Sequence, residues 1–407
     1  MTASSAHPRT RWAAVALLLV VGIAAAMQFA KVATVFVPVS QAYGAAGTAG
    51  AMLISAPAVV GLALGLTASV LVSRLGFRRV VLGCLALGAV LSLTQALLPP
   101  LPLFLAARAL EGVAHLGLVI SCPVLIIQLS APRRVSLAMS IWGTFFGLAF
   151  AIAGWLGPLA AEAWGVGSVF LGHGLLLAVL FAAVLTVLPR TPVDGPQPVS
   201  AHDGFLRAHL SAYRSPRAVL PGCVFVFHTL MYTALITFLP LFTDSGTAAT
   251  LLIWMPLVSI AGTVAAGLLA DRLMSTSAVL LLGYAGVGVL VVLVWALLGA
   301  GSGILTAALA MMFFSGLIQG GSFGLIPALS TDPTVAARSN GVLTQLGNVG
   351  NLLGPPLFAA AITSAGGAGA GPQAFTPATV WVVVFCAAGA VVSLLALRLT
   401  GARAPQR

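Results

Sequence analysis

The sequence predicts an all-α integral membrane protein of twelve transmembrane helices in two six-helix halves related by pseudo-two-fold symmetry. Three observations predict it: a shortage of charge, a series of apolar runs long enough to cross a bilayer, and an arginine distribution that alternates between the connecting loops. Of the 407 residues, 60% are hydrophobic and only 6% are charged, against about 25% in soluble domains. So few ionic side chains cannot clothe a chain of this length in water, and its surface must face lipid.

A bilayer-crossing helix needs about 20 apolar residues at a rise of 1.5 Å each. Only helices and closed barrels satisfy every backbone group in lipid. The apolar runs are long and continuous rather than short and alternating, which selects helices over a barrel. They fall near residues 12–38, 48–72, 79–98, 102–127, 137–161, 167–188, 218–242, 248–270, 276–299, 302–326, 340–364 and 377–399. Arg9 and Arg11 ahead of the first run resemble the start of a secretory signal. That run continues to Val39, too far for a signal core, so it is expected to stay as the first span.

With the N-terminus placed in the cytoplasm, sixteen arginines fall on the cytoplasmic side, from Arg9 and Arg11 through Arg74, Arg78, Arg79, Arg133, Arg134, Arg190, Arg207, Arg214, Arg217, Arg272 and Arg338 to Arg398, Arg403 and Arg407. The opposite loops hold none, and carry Glu162 and Asp244 instead. This positive-inside pattern predicts an even number of spans, cytoplasmic termini and a place in the cell inner (plasma) membrane. The same placement accounts for the net charge of +11 without nucleic acid, because the basic residues lie in short loops rather than on one folded face. Cys84, Cys122, Cys223 and Cys386 sit in apolar runs without metal-ligand spacing and read as packing residues.

The longest polar stretch, Pro189 to Pro216, divides the spans six and six. The expected organisation is therefore a first half over 1–188, a cytoplasmic linker over 189–217 and a second half over 218–407. The halves repeat weakly: Phe36-Val37-Pro38 with Phe238-Leu239-Pro240, Ser73-Arg74-Leu75 with Asp271-Arg272-Leu273, and Gly157-Pro158 with Gly354-Pro355. Parallel repeats with a site between them near the midplane are a transporter plan.

Over essentially its whole length the chain resembles the major facilitator superfamily. In that family the loop after the second span reads G-x-x-x-D-R-x-G-R-R. Here Arg74, Gly76, Arg78 and Arg79 match, while Ser69 and Ser73 replace the glycine and the acid. The second copy keeps Asp271 and Arg272. The resemblance implies that these residues (Arg74, Gly76, Arg78, Asp271, Arg272) form a gating motif, with the latch of the first half altered by the loss of its acid. Arg108-Ala-Leu-Glu111-Gly112 matches the family's R-x-x-x-G pattern, whose Arg is linked to proton coupling. Gly143 to Pro158 is similar in part to the glycine-rich pattern of proton-driven exporters. A fainter likeness to the cyanate-permease type branch rests on Lys31 before Pro38 and on Tyr232 to Pro240.

Ionisable groups inside a span cost about 2.5–3.5 kcal/mol each on insertion scales, which makes them functional candidates. Lys31, the only lysine, lies in the first span one turn after Gln28. It either meets an anion or pairs with Glu111, or it snorkels outward. Arg108, Glu111 and His115 share one face of the fourth span. They read as a proton-coupling stripe or as a static pair that fixes packing. His228 and Tyr232 in the seventh span and Gln345 and Asn348 in the eleventh extend the candidate pathway, and Trp142 is a candidate stacking surface. His173 reads as a packing residue.

No P-loop, HExxH, nucleophile elbow or EF-hand spacing occurs, so neither an enzyme, a cofactor nor a bound metal is expected. The expected function is secondary transport by alternating access of a small organic solute, anionic because Lys31 and Arg108 outnumber Glu111 within the spans, and coupled to protons. The alternative is drug or secreted-metabolite efflux by proton antiport. The absence of a sizeable polar domain disfavours a receptor or scaffold. The partners expected are the solute, protons and lipid, with no nucleic acid, and the working unit is a monomer.

Overall fold

The computed structural model describes residues 10–188, 212–300, 302–329 and 332–401. Most of the expected linker, together with Arg9, Arg190, Arg207, Arg403 and Arg407, lies outside the described residues. Helices are the regular structure of the described residues, with no strand among them.

Among the described residues ten helices are long and apolar enough to cross a bilayer, or eleven when one bent pair is taken as a single span. The remaining span is Pro333–Ser364, the longest helix at 32 residues. It is more polar than the others because Thr344, Gln345, Asn348 and Asn351 lie along it. The twelve-span arrangement thus stands, with its interruptions placed by the structure.

Three of the expected spans are broken. The first runs over Trp12–Ala33, pauses at Thr34 and Val35, and resumes over Phe36–Ala42. The second is bent by 60° between Gly47–Ser55 and Ala58–Leu64 and ends in a third piece, Ala68–Leu75. Pro57 sits at that bend, where its missing N–H and its ring end the preceding helical turn. The fifth divides into Val135–Trp142 and Phe145–Trp164 at Gly143 and Thr144.

The helix pairing repeats between halves. In the first half the first span packs on the fifth, the second on the fourth, and the third on the fourth (Leu101–Leu129) and sixth (Gly167–Val187). In the second half the seventh (Pro216–Phe238) packs on the eleventh, the eighth (Ser245–Arg272) on the tenth (Ile304–Leu329), and the ninth (Thr276–Leu297) on the tenth and twelfth (Thr376–Gly401). Lipid tails are as apolar as the side chains, so close backbone approach at small residues holds such pairs together. A Cβ at Gly112 would collide with the carbonyl oxygen of Pro57, and one at Gly316 with that of Ser259. The two crossings are counterparts in the repeat.

The halves meet along two seams. One joins the second and eleventh spans, from Gly47 against Thr363 to Leu66 against Gly341. The other joins the fifth and eighth, where Gly154 meets the Leu252 backbone and Gly147 meets Ile260. Phe36 and Phe238 add an edge-to-face pair, 5.2 Å between centroids, at the end away from the linker. At the linker end Ala68–Leu75 and Val135–Trp142 pack on spans of their own half.

Because Gly112 and Gly316 have no room for a side chain, Gly112→Val and Gly316→Val are each expected to cost at least about 1–3 kcal/mol through overpacking. The thermal midpoint of purified protein should drop in both. Gly83→Ala, in open space, should leave it unchanged.

Candidate functional site

The principal polar cluster lies inside the first half, among its first, third, fourth and sixth spans. A helix of long apolar run can bury a polar side chain only if neighbouring helices supply partners, and here four do. Lys31, Arg108 and Glu111 are all shielded from solvent, at 2%, 0% and 0% exposure, so the snorkelling reading of Lys31 gives way to a buried one. Glu111 receives both cations: Lys31 Nζ lies 2.6 Å from its Oε1, and Arg108 pairs with its Oε2. The Arg108–Glu111 spacing of three residues puts the two on one face, which brings acid and base together within the helix.

Lys31 is held by a tripod of acceptors. Its Nζ lies 2.6 Å from Glu111 Oε1, 2.7 Å from Ser92 Oγ and 3.2 Å from His173 Nδ1. The ring of Phe170 lies 5.1 Å from the same nitrogen, a cation–π contact. Ser92 Oγ is itself 3.1 Å from Glu111 Oε1 and 2.8 Å from His173 Nδ1. His173 Nε2 lies 2.9 Å from the carbonyl oxygen of Ala24, which only accepts, so Nε2 carries the hydrogen. In the neutral ring Nδ1 is then an acceptor aimed at Lys31 and Ser92.

Arg108 is anchored a second time, its Nε donating to the Leu53 carbonyl at 2.9 Å beside the bend of the second span. Its second terminal nitrogen, Nη2, has no hydrogen-bond partner, and neither do the amides of Gln28 and Gln95. Gln28 lies against Gly88 of the third span. Buried polar atoms without partners are rare and mark places where solvent or a ligand completes the site. His115 Nδ1 donates to the Ala25 carbonyl at 3.0 Å and packs edge-on to Phe29.

The other candidates lie elsewhere. Trp142 stacks on Phe145 and rests on Gly22 of the first span, within the first half. His228 approaches Ser315 at 3.3 Å and packs between Phe225 and Tyr232. Tyr232 reaches the seam, where Phe146 and Phe150 of the fifth span meet its ring. Gln345 ties the halves together: its Nε2 donates to the Leu62 carbonyl at 2.7 Å and its Oε1 accepts from the Tyr213 hydroxyl at 3.0 Å. Asn348 rests on Gly61 and donates to the Thr344 carbonyl.

Of the gating motif, Gly76 has a positive φ of 87°, a conformation that favours glycine, and it joins the second span to the third. Arg78 donates to the carbonyls of Leu185 and Leu188, tying the third span to the end of the sixth. Arg74, Asp271 and Arg272 are exposed, and no ion pair joins them among the described residues.

Ser92 is the member that sequence reasoning passed over, and His173, read there as packing, is an acceptor of the cluster. Ser92 and Gln95, three residues apart in an otherwise apolar helix, were the available signal for a polar face on the third span.

The family model of the Major Facilitator Superfamily matches residues 17–355, and the chain belongs to that superfamily. Among solved structures it is similar to a bacterial homologue of the human lysosomal transporter Spinster. The inward-facing, unoccupied form matches at a TM-score of 0.80 and 14% identity, covering 100% of both chains. The inward-facing, occupied form matches at 0.74 and 14%, covering 96% of this chain and 97% of the other. At that identity the likeness shows the fold. No curated protein sequence matches the chain. The protein is a multi-pass membrane transporter of the secondary, alternating-access kind.

Glu111→Gln leaves two buried cations facing each other with no counter-charge. It is expected to cost about 3–5 kcal/mol. Lys31→Met leaves the Arg108–Glu111 pair balanced and should cost less, so thermal midpoints should rank wild type, Lys31→Met, Glu111→Gln from highest to lowest.

Proposed function

We propose that the protein moves a small anionic solute together with protons, using the buried cluster of the first half as its ion-coupling site. The observation that carries this reading is one of charge: two buried cations share one carboxylate. Among the described residues no other buried acid is present to balance the second cation. An uncompensated charge in a low-dielectric interior is costly. Two events relieve it: an anion arrives, or a proton leaves. An anion that compensates the cluster therefore holds the proton in place, and a proton held in place favours the anion. Linked binding of this kind is reciprocal and favours joint movement of the two.

Alternating access would proceed by opening and closing the two seams around the midplane. The Phe36–Phe238 pair would close the face away from the linker, in keeping with the inward-facing structures that share the fold. Residence in the cell inner membrane, cytoplasmic termini and a monomeric working unit belong to the same reading and rest on the arginine asymmetry and the fold. The alternative, drug or secreted-metabolite efflux by proton antiport, is favoured by the aromatic rings that meet at Tyr232.

The test uses proteoliposomes with a pH-sensitive dye inside, challenged with inward gradients of small carboxylates, sulfonates and inorganic anions, with protein-free vesicles subtracted. Anion-driven acidification of the lumen that disappears in Lys31→Ala is the expected result. If lipophilic cations instead collapse a preset acid interior while every anion is silent, antiport efflux is the better description.

A further inference from the structure

We propose that the exchangeable proton of the cluster resides on Lys31, and that Ser92 is the hydroxyl rotor that lets Lys31 hold or release it without movement of heavy atoms. Its role in transport rests on the proton-coupled reading above; its chemistry stands on the geometry alone.

An ammonium has three N–H donors and no acceptor, and a neutral amine has two donors and one lone pair. The three atoms around Lys31 Nζ suit both. In the charged state the three hydrogens point to Glu111 Oε1, Ser92 Oγ and His173 Nδ1, and the Ser92 hydroxyl donates onward to Glu111 Oε1 at 3.1 Å. In the neutral state the amine keeps its bonds to Glu111 and His173. The Ser92 O–H turns by rotation about its C–O bond and donates into the Nζ lone pair across the same 2.7 Å. The step is loss of one proton from Nζ to water and its recovery from water, with the electron pair remaining on nitrogen.

The neighbours of Lys31 favour this assignment over the carboxylate. Glu111 accepts from a cation on each oxygen, so a proton on it would displace one of those bonds. Arg108 stays charged in proteins. His173 is committed through Nε2 to a carbonyl. His115 is committed through Nδ1 to another. The third span presents Ser92 and Gln95 to the cluster, while its Cys84 packs on Gly117 farther along. The second span gives Arg108 only the Leu53 backbone, the fifth presents Gly157 to Thr34 beside Lys31, and across the seam the seventh carries His228 and Tyr232. Release of the Lys31 proton leaves one cation and one carboxylate, the only protonation change that balances the cluster while all three contacts of Nζ are kept, at the cost of the longer Ser92–Glu111 bond.

The chain has a single lysine, so 15N-lysine labelling of the full-length protein in detergent yields one side-chain Nζ signal that needs no assignment. The expected result is a reversible single step between the ammonium and amine positions between about pH 5 and 10, retained in Ser92→Thr and displaced by at least about one pH unit in Ser92→Ala. A signal fixed at either position throughout overturns the proposal and returns the proton to Glu111. A Ser92→Ala titration identical to wild type overturns the rotor. No substrate enters this measurement, so a silent anion panel leaves it untouched. A fixed Nζ signal in protein that still takes up protons with an anion removes Lys31 as carrier and leaves proton–anion coupling standing.

Discussion

The pairing of Glu111 with two cations is the constraint around which the first half is organised. None of the three charges is tolerable alone in a lipid-embedded bundle, where an unpaired ion costs several kcal/mol. Satisfying them requires four helices at once: the first to bring Lys31, the fourth to bring Arg108 and Glu111, the third for Ser92 and the sixth for His173. The bend at Pro57 belongs to the same arrangement. It carries the second span past Gly112 and leaves the Leu53 carbonyl for Arg108. A polar requirement at one level thereby sets helix geometry at the next.

The repeat shows how the same packing can serve two chemistries. Gly112 on Pro57 and Gly316 on Ser259 are equivalent crossings of backbone on backbone. Counting from those glycines, Met312 and Ser315 take the places of Arg108 and Glu111. The second half therefore keeps the crossing and drops the charges. What it offers at that level is His228 beside Ser315, framed by Phe225 and Tyr232. The buried charges sit in the first half, and at the equivalent level the second half has an imidazole, a hydroxyl and aromatic rings, so the proposed ion coupling and solute contact would have separate walls. Linkage between them needs only that both bias the same two-state movement of the halves.

Much of the architecture was legible in the chain because lipid is an undemanding solvent to read. Span length, arginine placement and the repeat are one-dimensional properties, and each maps directly onto helices across a bilayer. The bends were less legible. Pro57 and Pro158 both lie in spans, yet the second span is broken beside Pro57 while Phe145–Trp164 runs unbroken through Pro158. Neighbouring helices decide which freed carbonyl finds a new partner. Gln345 and Asn348, read as pathway residues from their shared face, lie at the seam with the second span.

The sequence by itself determined the solvent, the helical class and approximate number of the spans, and the presence of an acid and two bases within them. These follow from composition and spacing along the chain. Only the tertiary structure decided that Lys31 turns toward the third and sixth spans, that His173 is its acceptor rather than inert packing, and that Ser92 belongs to the site at all. Which face of a nearly uniformly apolar helix points where is set by its neighbours, because the hydrophobic pattern of such a helix has no side.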